Sequence, residues 1–130
     1  MFSDLKFSQS INMSGVNSIN WARIIAQSVY YFYTYFRLDK KNVSFSVPTG
    51  NFGDIFAGYI SKKMGLPIDK LIVATNENDI LHRAISKGDY VSKEVRETLS
   101  PSMDIQLASN FERFIYYINN SDSEKTAEIM

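Results

Sequence analysis

Between Ser18 and Leu38, apolar residues recur at spacings of three and four. Ala22, Ile25, Ala26, Val29, Phe32, Tyr33 and Phe36 fall on one face of a predicted helix. Asn17 or Ser18 is placed to cap its start by accepting from free backbone N–H groups. The run VYYFYTYF makes nearly the whole girth apolar, which predicts a helix packed on a sheet and covered by a further element. After a polar turn the period changes to two. Val43, Phe45 and Val47 share one face of a predicted strand, with serines on the other. Ile55–Met64 then reads as a helix, with Asp54 at its start, where a capping oxygen and a negative charge are both favoured. Gly65 and Pro67 stop it. Gly58 inside it costs helix stability, a cost that makes sense if a neighbour approaches closely.

Leu71–Ala74 is a second apolar strand. TNEND opens a short helix, Ile80–Lys87, ended by Gly88. Two strands joined through a helix predict parallel pairing with a right-handed crossover. Past Asp89 the pattern weakens. Ser100–Pro101 marks a boundary, and Asn110 is expected to cap a last helix, FERFIYYI. The fold class is α/β, a partial parallel sheet flanked by helices. Residues 1–120 read as one α/β cofactor-binding unit and 121–130 as a polar tail expected to fray. Only two or three strands can be placed, and a parallel sheet buried on both faces usually needs more. The chain therefore reads as the middle of an α/β domain.

Composition narrows the functional classes. Of the 130 residues 45% are apolar, enough for a packed core. The formal net charge is zero, which argues against sequence-independent attraction to nucleic acid or anionic lipid. No cysteine and a single histidine, His82, leave no disulfide framework, thiolate nucleophile or histidine–cysteine metal cluster. His82 reads as an ordinary surface or packed residue, and no pair of acids stands out as a general acid–base dyad. There is no apolar run of about 18 residues. The start, MFSDLKFSQS, lacks a signal-peptide pattern, so a cytoplasmic protein is expected.

The chemistry gathers at PTGNFGD, Pro48–Asp54, between the first strand and its helix. A helix start leaves backbone N–H groups without partners and favours an anion. Gly50 and Gly53 allow close approach, and Thr49 and Asn51 can add side-chain hydrogen bonds. Ligands of α/β sheets gather beyond the strands' carboxyl ends. The pattern is neither a P-loop nor a dinucleotide fingerprint. A G-x-x-G loop on a nucleic-acid backbone is disfavoured by Asp54 and zero net charge. A tight turn with no ligand remains the plain alternative to a phosphate site.

Four stretches in order, GVNSINWARIIAQ, VPTGNFGDIFAGY, ATNENDIL and SPSMDIQLASNFER, closely resemble threonine synthase, a pyridoxal-phosphate enzyme of fold type II. The resemblance runs from about Met1 to Tyr117. It implies conversion of O-phospho-L-homoserine and water to L-threonine and phosphate, with pyridoxal 5′-phosphate as electron sink. It also implies that Thr49, Gly50, Asn51, Phe52, Gly53 and Asp54 hold the cofactor's 5′-phosphate, largely through backbone N–H groups. Asn17, Ser18, Asn20 and Arg23, at the first helix's start, are candidates to reach the substrate or its phosphate. Capping and a solvated arginine are the alternative for them. The family's Schiff-base lysine motif is absent, and the chain's nine lysines read as lying on turns or solvated faces. The chain thus reads as an internal fragment without a catalytic residue of its own, with the missing parts of the enzyme as partner. Two other readings stay open: a non-catalytic phosphate-ligand binding module, and an interaction protein docking through its aromatic helix.

Overall fold

The structure, a computed structural model, describes residues 4–13 and 17–130. Gly15 and Val16, which open the first of the four motifs, lie outside the described residues, as do Met1–Ser3. The order is α1 (Leu5–Ser10), α2 (Trp21–Leu38), β1 (Val43–Pro48), α3 (Gly53–Lys63), β2 (Ile68–Ala74), α4 (Ile80–Lys87), a 3₁₀ turn (Pro101–Met103), α5 (Ser109–Ile118) and α6 (Ser123–Ile129). Strands β1 and β2 pair in parallel, with Phe45 opposite Leu71 and Val47 opposite Val73. Helix α3 is the crossover between them and packs on both α2 and the sheet.

Helix α3 ends where expected. Gly65 takes a left-handed φ of 104°, which lets Leu66 N–H reach back to Ser61 O and bury the Leu66 side chain. Gly58 is needed for packing. A Cβ there would lie 2.7 Å from the Tyr31 ring of α2 and 2.9 Å from Leu71. Ser28 and Ser61 complete this small-residue seam. Each hydroxyl donates to its own helix, at Ile25 O (2.6 Å) and Ala57 O (2.8 Å), so neither is buried unpaired.

The packed face of α2 differs from the predicted one. Ile24, Ser28 and Tyr31 are buried, whereas Ile25, Val29 and Phe36 are 43%, 60% and 73% exposed. A helix apolar around most of its girth offers several stripes of the right period. The small surface of α3 selects the one bearing Ile24 and Tyr31. The cap also shifts: Asn20 accepts from Ala22 N–H (2.9 Å), while Asn17 closes a turn to Ile19 N–H.

One further expectation is corrected. Asn110 does not cap α5. Ala108 holds the N-cap position, and Asn110 lies inside the helix with its side chain fully buried. Residues 121–130 include helix α6, whose N-cap, Asp122, accepts from Glu124 and Lys125 N–H through its carboxylate.

Candidate functional site

At the carboxyl end of β1, Thr49 N–H makes the last ladder bond, to Ala74 O (2.8 Å). Its hydroxyl turns back to Val47 O (2.6 Å), and the residue is buried. Asn51 is likewise committed to the protein. Its amide nitrogen donates to Ser18 Oγ, and its amide oxygen accepts from Ser109 Oγ (2.9 Å). The two side chains expected to reach a ligand therefore build the loop.

Phe52 takes a left-handed φ of 64°, unusual for a bulky residue. Its ring is buried against Phe111 and Phe114, with centroids 5.2 and 5.3 Å away, and this packing holds the strained turn. Helix α3 then begins at Gly53. No side chain caps it, and Asp54 does not perform the capping expected of it. Among the described residues, the backbone N–H groups from Gly50 to Ile55 have no hydrogen-bond acceptor. They gather unpaired donors at the positive end of a helix, an arrangement that suits an anion.

Gly50 is explained by the protein around it. A Cβ on Gly50 would meet Ile105 Cδ1 at 3.0 Å and Ser102 O at 3.2 Å. A Cβ on Gly53 would meet Asn110 Nδ2 at 3.4 Å. Gly50 thus lets the loop lie flat on the segment 102–105. That wall is tied down by Asp104, whose carboxylate accepts from Thr98 Oγ1 (2.7 Å), Thr98 N–H (2.9 Å), Asn76 Nδ2 (2.7 Å) and Asn78 Nδ2 (3.1 Å). These bonds, the Thr98 hydroxyl first, hold its carboxyl below the usual carboxylate range.

The loop, the wall and the start of α2 enclose a cleft of ≈ 310 Å³, lined by Ser18, Arg23, Gln27, Pro48–Asp54, Ser102, Met103 and Ile105. Arg23 makes no ion pair among the described residues. Asp54 also lines the cleft. Burial raises its carboxyl pKa. Burial first, then the Asp54 charge, raises the Tyr31 phenol, whose hydroxyl donates to Asp54 O (2.8 Å).

The structure brings Ser18 and Arg23 to one cleft with Thr49–Asp54. It leaves Asn17 and Asn20 outside the lining, as turn and cap. Gln27 and Ser109 were not singled out from the sequence, and Asn110 was expected only as a helix cap. Ser102, Ser109 and Asn110 lie within the matched motif SPSMDIQLASNFER, which was the available signal. Gln27 Oε1 and Asn110 Oδ1 are buried without a hydrogen-bond partner. Every lysine is exposed, and none lines the cleft. His82 is exposed on α4 and does not line the cleft. No helix among the described residues is long and apolar enough to cross a membrane.

No family model matches the chain. Individual proteins do. The fold, with its strand–loop–helix cradle, superposes with a TM-score of 0.91 on the pyridoxal-phosphate-bound threonine synthase from Brucella melitensis, at 55% identity over 98% of this chain and 28% of that one. The architecture is therefore that of part of a pyridoxal-phosphate enzyme of this kind. Threonine synthase from Saccharomyces cerevisiae is 54% identical over 100% of this chain, and that from Pseudomonas aeruginosa is 51% identical over 99%. The chain is homologous over its whole length to a segment of the threonine synthases, spanning 27% and 28% of the length of these two relatives.

Proposed function

We propose that this chain is the cofactor-phosphate-binding segment of a threonine synthase, the enzyme that converts O-phospho-L-homoserine and water to L-threonine and phosphate. The observation that carries this reading is the row of backbone N–H groups from Gly50 to Ile55, free of acceptors among the described residues and set at the start of α3. The match to a pyridoxal-phosphate-bound threonine synthase supports the choice of cofactor. When bound, pyridoxal 5′-phosphate supplies an electron sink. This chain's own residues hold and orient. The loop N–H groups receive the 5′-phosphate, and Phe52 and Asn51 fix the direction of those donors. Arg23 brings a guanidinium to the cleft, suited to a phosphate oxygen pair of cofactor or substrate. Met103 and Ile105 give an apolar wall that keeps water from one side of the loop.

Because no lysine lines the cleft, the chain alone binds and does not convert. Its setting is the cytoplasm, with the remaining parts of such an enzyme as partner. Equilibrium dialysis tests this reading. The chain is expected to retain pyridoxal 5′-phosphate, to retain pyridoxal much less, and to form no threonine from O-phospho-L-homoserine. Gly50→Val, which drives a side chain into Ile105 and the Ser102 carbonyl, is expected to abolish the difference. Equal retention of the two pyridoxal forms by the unaltered chain contradicts the phosphate assignment. Threonine production contradicts the inactive-segment reading.

A further inference from the structure

We propose that Ser109 is a positioning residue for the anion cradle, acting through Asn51. This rests on the reading of the Gly50–Ile55 row as a phosphate site. Asn51 sits between Gly50, pressed against the 102–105 wall, and Phe52, held left-handed. Its side-chain amide is gripped at both ends, by Ser18 from the segment before α2 and by Ser109 from the first turn of α5. Asn110 closes the arrangement by donating from Nδ2 to Ser18 O (2.8 Å). Two segments far apart in sequence thus converge on one loop side chain and are tied to each other. Each serine hydroxyl donates and accepts, so both ends of the amide are satisfied whichever way it is turned.

The consequence is directional. With its amide fixed at two points, Asn51 cannot swing away from its χ1 rotamer without breaking a bond. The peptide planes on either side are held, and with them the aim of the neighbouring N–H donors. Hydrogen bonds weaken steeply once the donor angle closes, so a cradle of backbone donors depends on such fixing. Ser109 suits the task because it makes no capping bond in α5 and is only half-buried, so its hydroxyl is not needed to start the helix.

The test uses the whole chain and inorganic phosphate as probe. Dissociation constants are measured for the unaltered chain, Ser109→Ala and Ser109→Thr, with the urea midpoint of each. Ser109→Ala is expected to weaken phosphate binding about tenfold with little change in midpoint. Ser109→Thr, which keeps the hydroxyl, is expected to restore binding. If the unaltered chain binds phosphate and Ser109→Ala binds equally well, the positioning role is wrong and the cradle stands. If Ser109→Ala weakens binding and Ser109→Thr fails to restore it, or if binding falls only in step with the urea midpoint, the effect is one of packing and the proposal falls. If the unaltered chain does not bind phosphate, the cradle reading itself falls and the proposal with it.

Discussion

At the scale of single residues, the glycines and the loop side chains divide what was legible from what was not. Gly58 was read correctly as a place of close approach, because a glycine inside a helix needs a reason. Its partner, the Tyr31 ring, could not be named from periodicity. Gly58→Ala is expected to lower stability. Overpacking against that ring costs about 1–3 kcal/mol, which exceeds the gain of about 1 kcal/mol in helix propensity. A lower urea midpoint is the expected result, and an unchanged or higher one shows that α2 and α3 can separate freely. Thr49, Asn51 and Asp54 were legible as loop residues, yet their partners were not. The hydroxyl of Thr49 and the amide of Asn51 are taken by groups distant in sequence or within the strand, and no local pattern encodes that. Asp104 was noticed only as part of a matched motif. Its folded carboxyl lies below its unfolded value of about 3.9. The stability it contributes is therefore fully present above about pH 4 and is lost as pH falls through the folded value. Asp79 and Asp89, each lowered first by its bond to Arg83, act with the same sign. Urea midpoints measured from pH 5 downward are expected to fall, and less steeply for Asp104→Asn. A parallel decline in both proteins contradicts this role.

At the scale of elements, α3 and α4 were legible almost to the residue, because each combines apolar spacing with a glycine stop. Gly65 and Gly88 both take the left-handed conformation that ends a helix. Helix α2 was legible as a helix and illegible as a surface. Its outward stripe of Ile25, Val29 and Phe36 is as periodic as its buried one. The choice between them was made by Gly58, Ser61 and Ala57 on α3, a tertiary cause that a single helix pattern does not contain. The two faces predict opposite behaviour. Val29→Lys with Phe36→Lys is expected to leave the urea midpoint nearly unchanged, within about 0.5 kcal/mol of stability for exposed sites, and to reduce self-association at high concentration. Ile24→Lys is expected to unfold the chain. A large stability loss from the outer pair means that the stripe predicted from sequence is the packed one after all.

At the scale of the whole molecule, the sheet is a single parallel pair, and its outer face leaves Ser44, Ser46 and Ile72 exposed. Parallel strands are ordinarily covered on both faces. Spanning 28% of a structural neighbour at a TM-score of 0.91, the chain reproduces part of a larger fold closely. The sequence carried the order of strand, loop and helix because those are local. The pinning of the loop by Ser18, Ser109 and the 102–105 wall was not legible, because it joins segments up to 58 residues apart. The proposed function rests on a phosphate group received by the amides of Gly50–Ile55. It is tested most directly by following backbone amide resonances while pyridoxal 5′-phosphate is added, with pyridoxal in a parallel titration. The predicted result is a saturable shift centred on Gly50–Ile55, with Arg23 at its edge, seen with the phosphate ester and with inorganic phosphate but not with pyridoxal. Shifts scattered over the exposed lysines, or identical for both pyridoxal forms, contradict it.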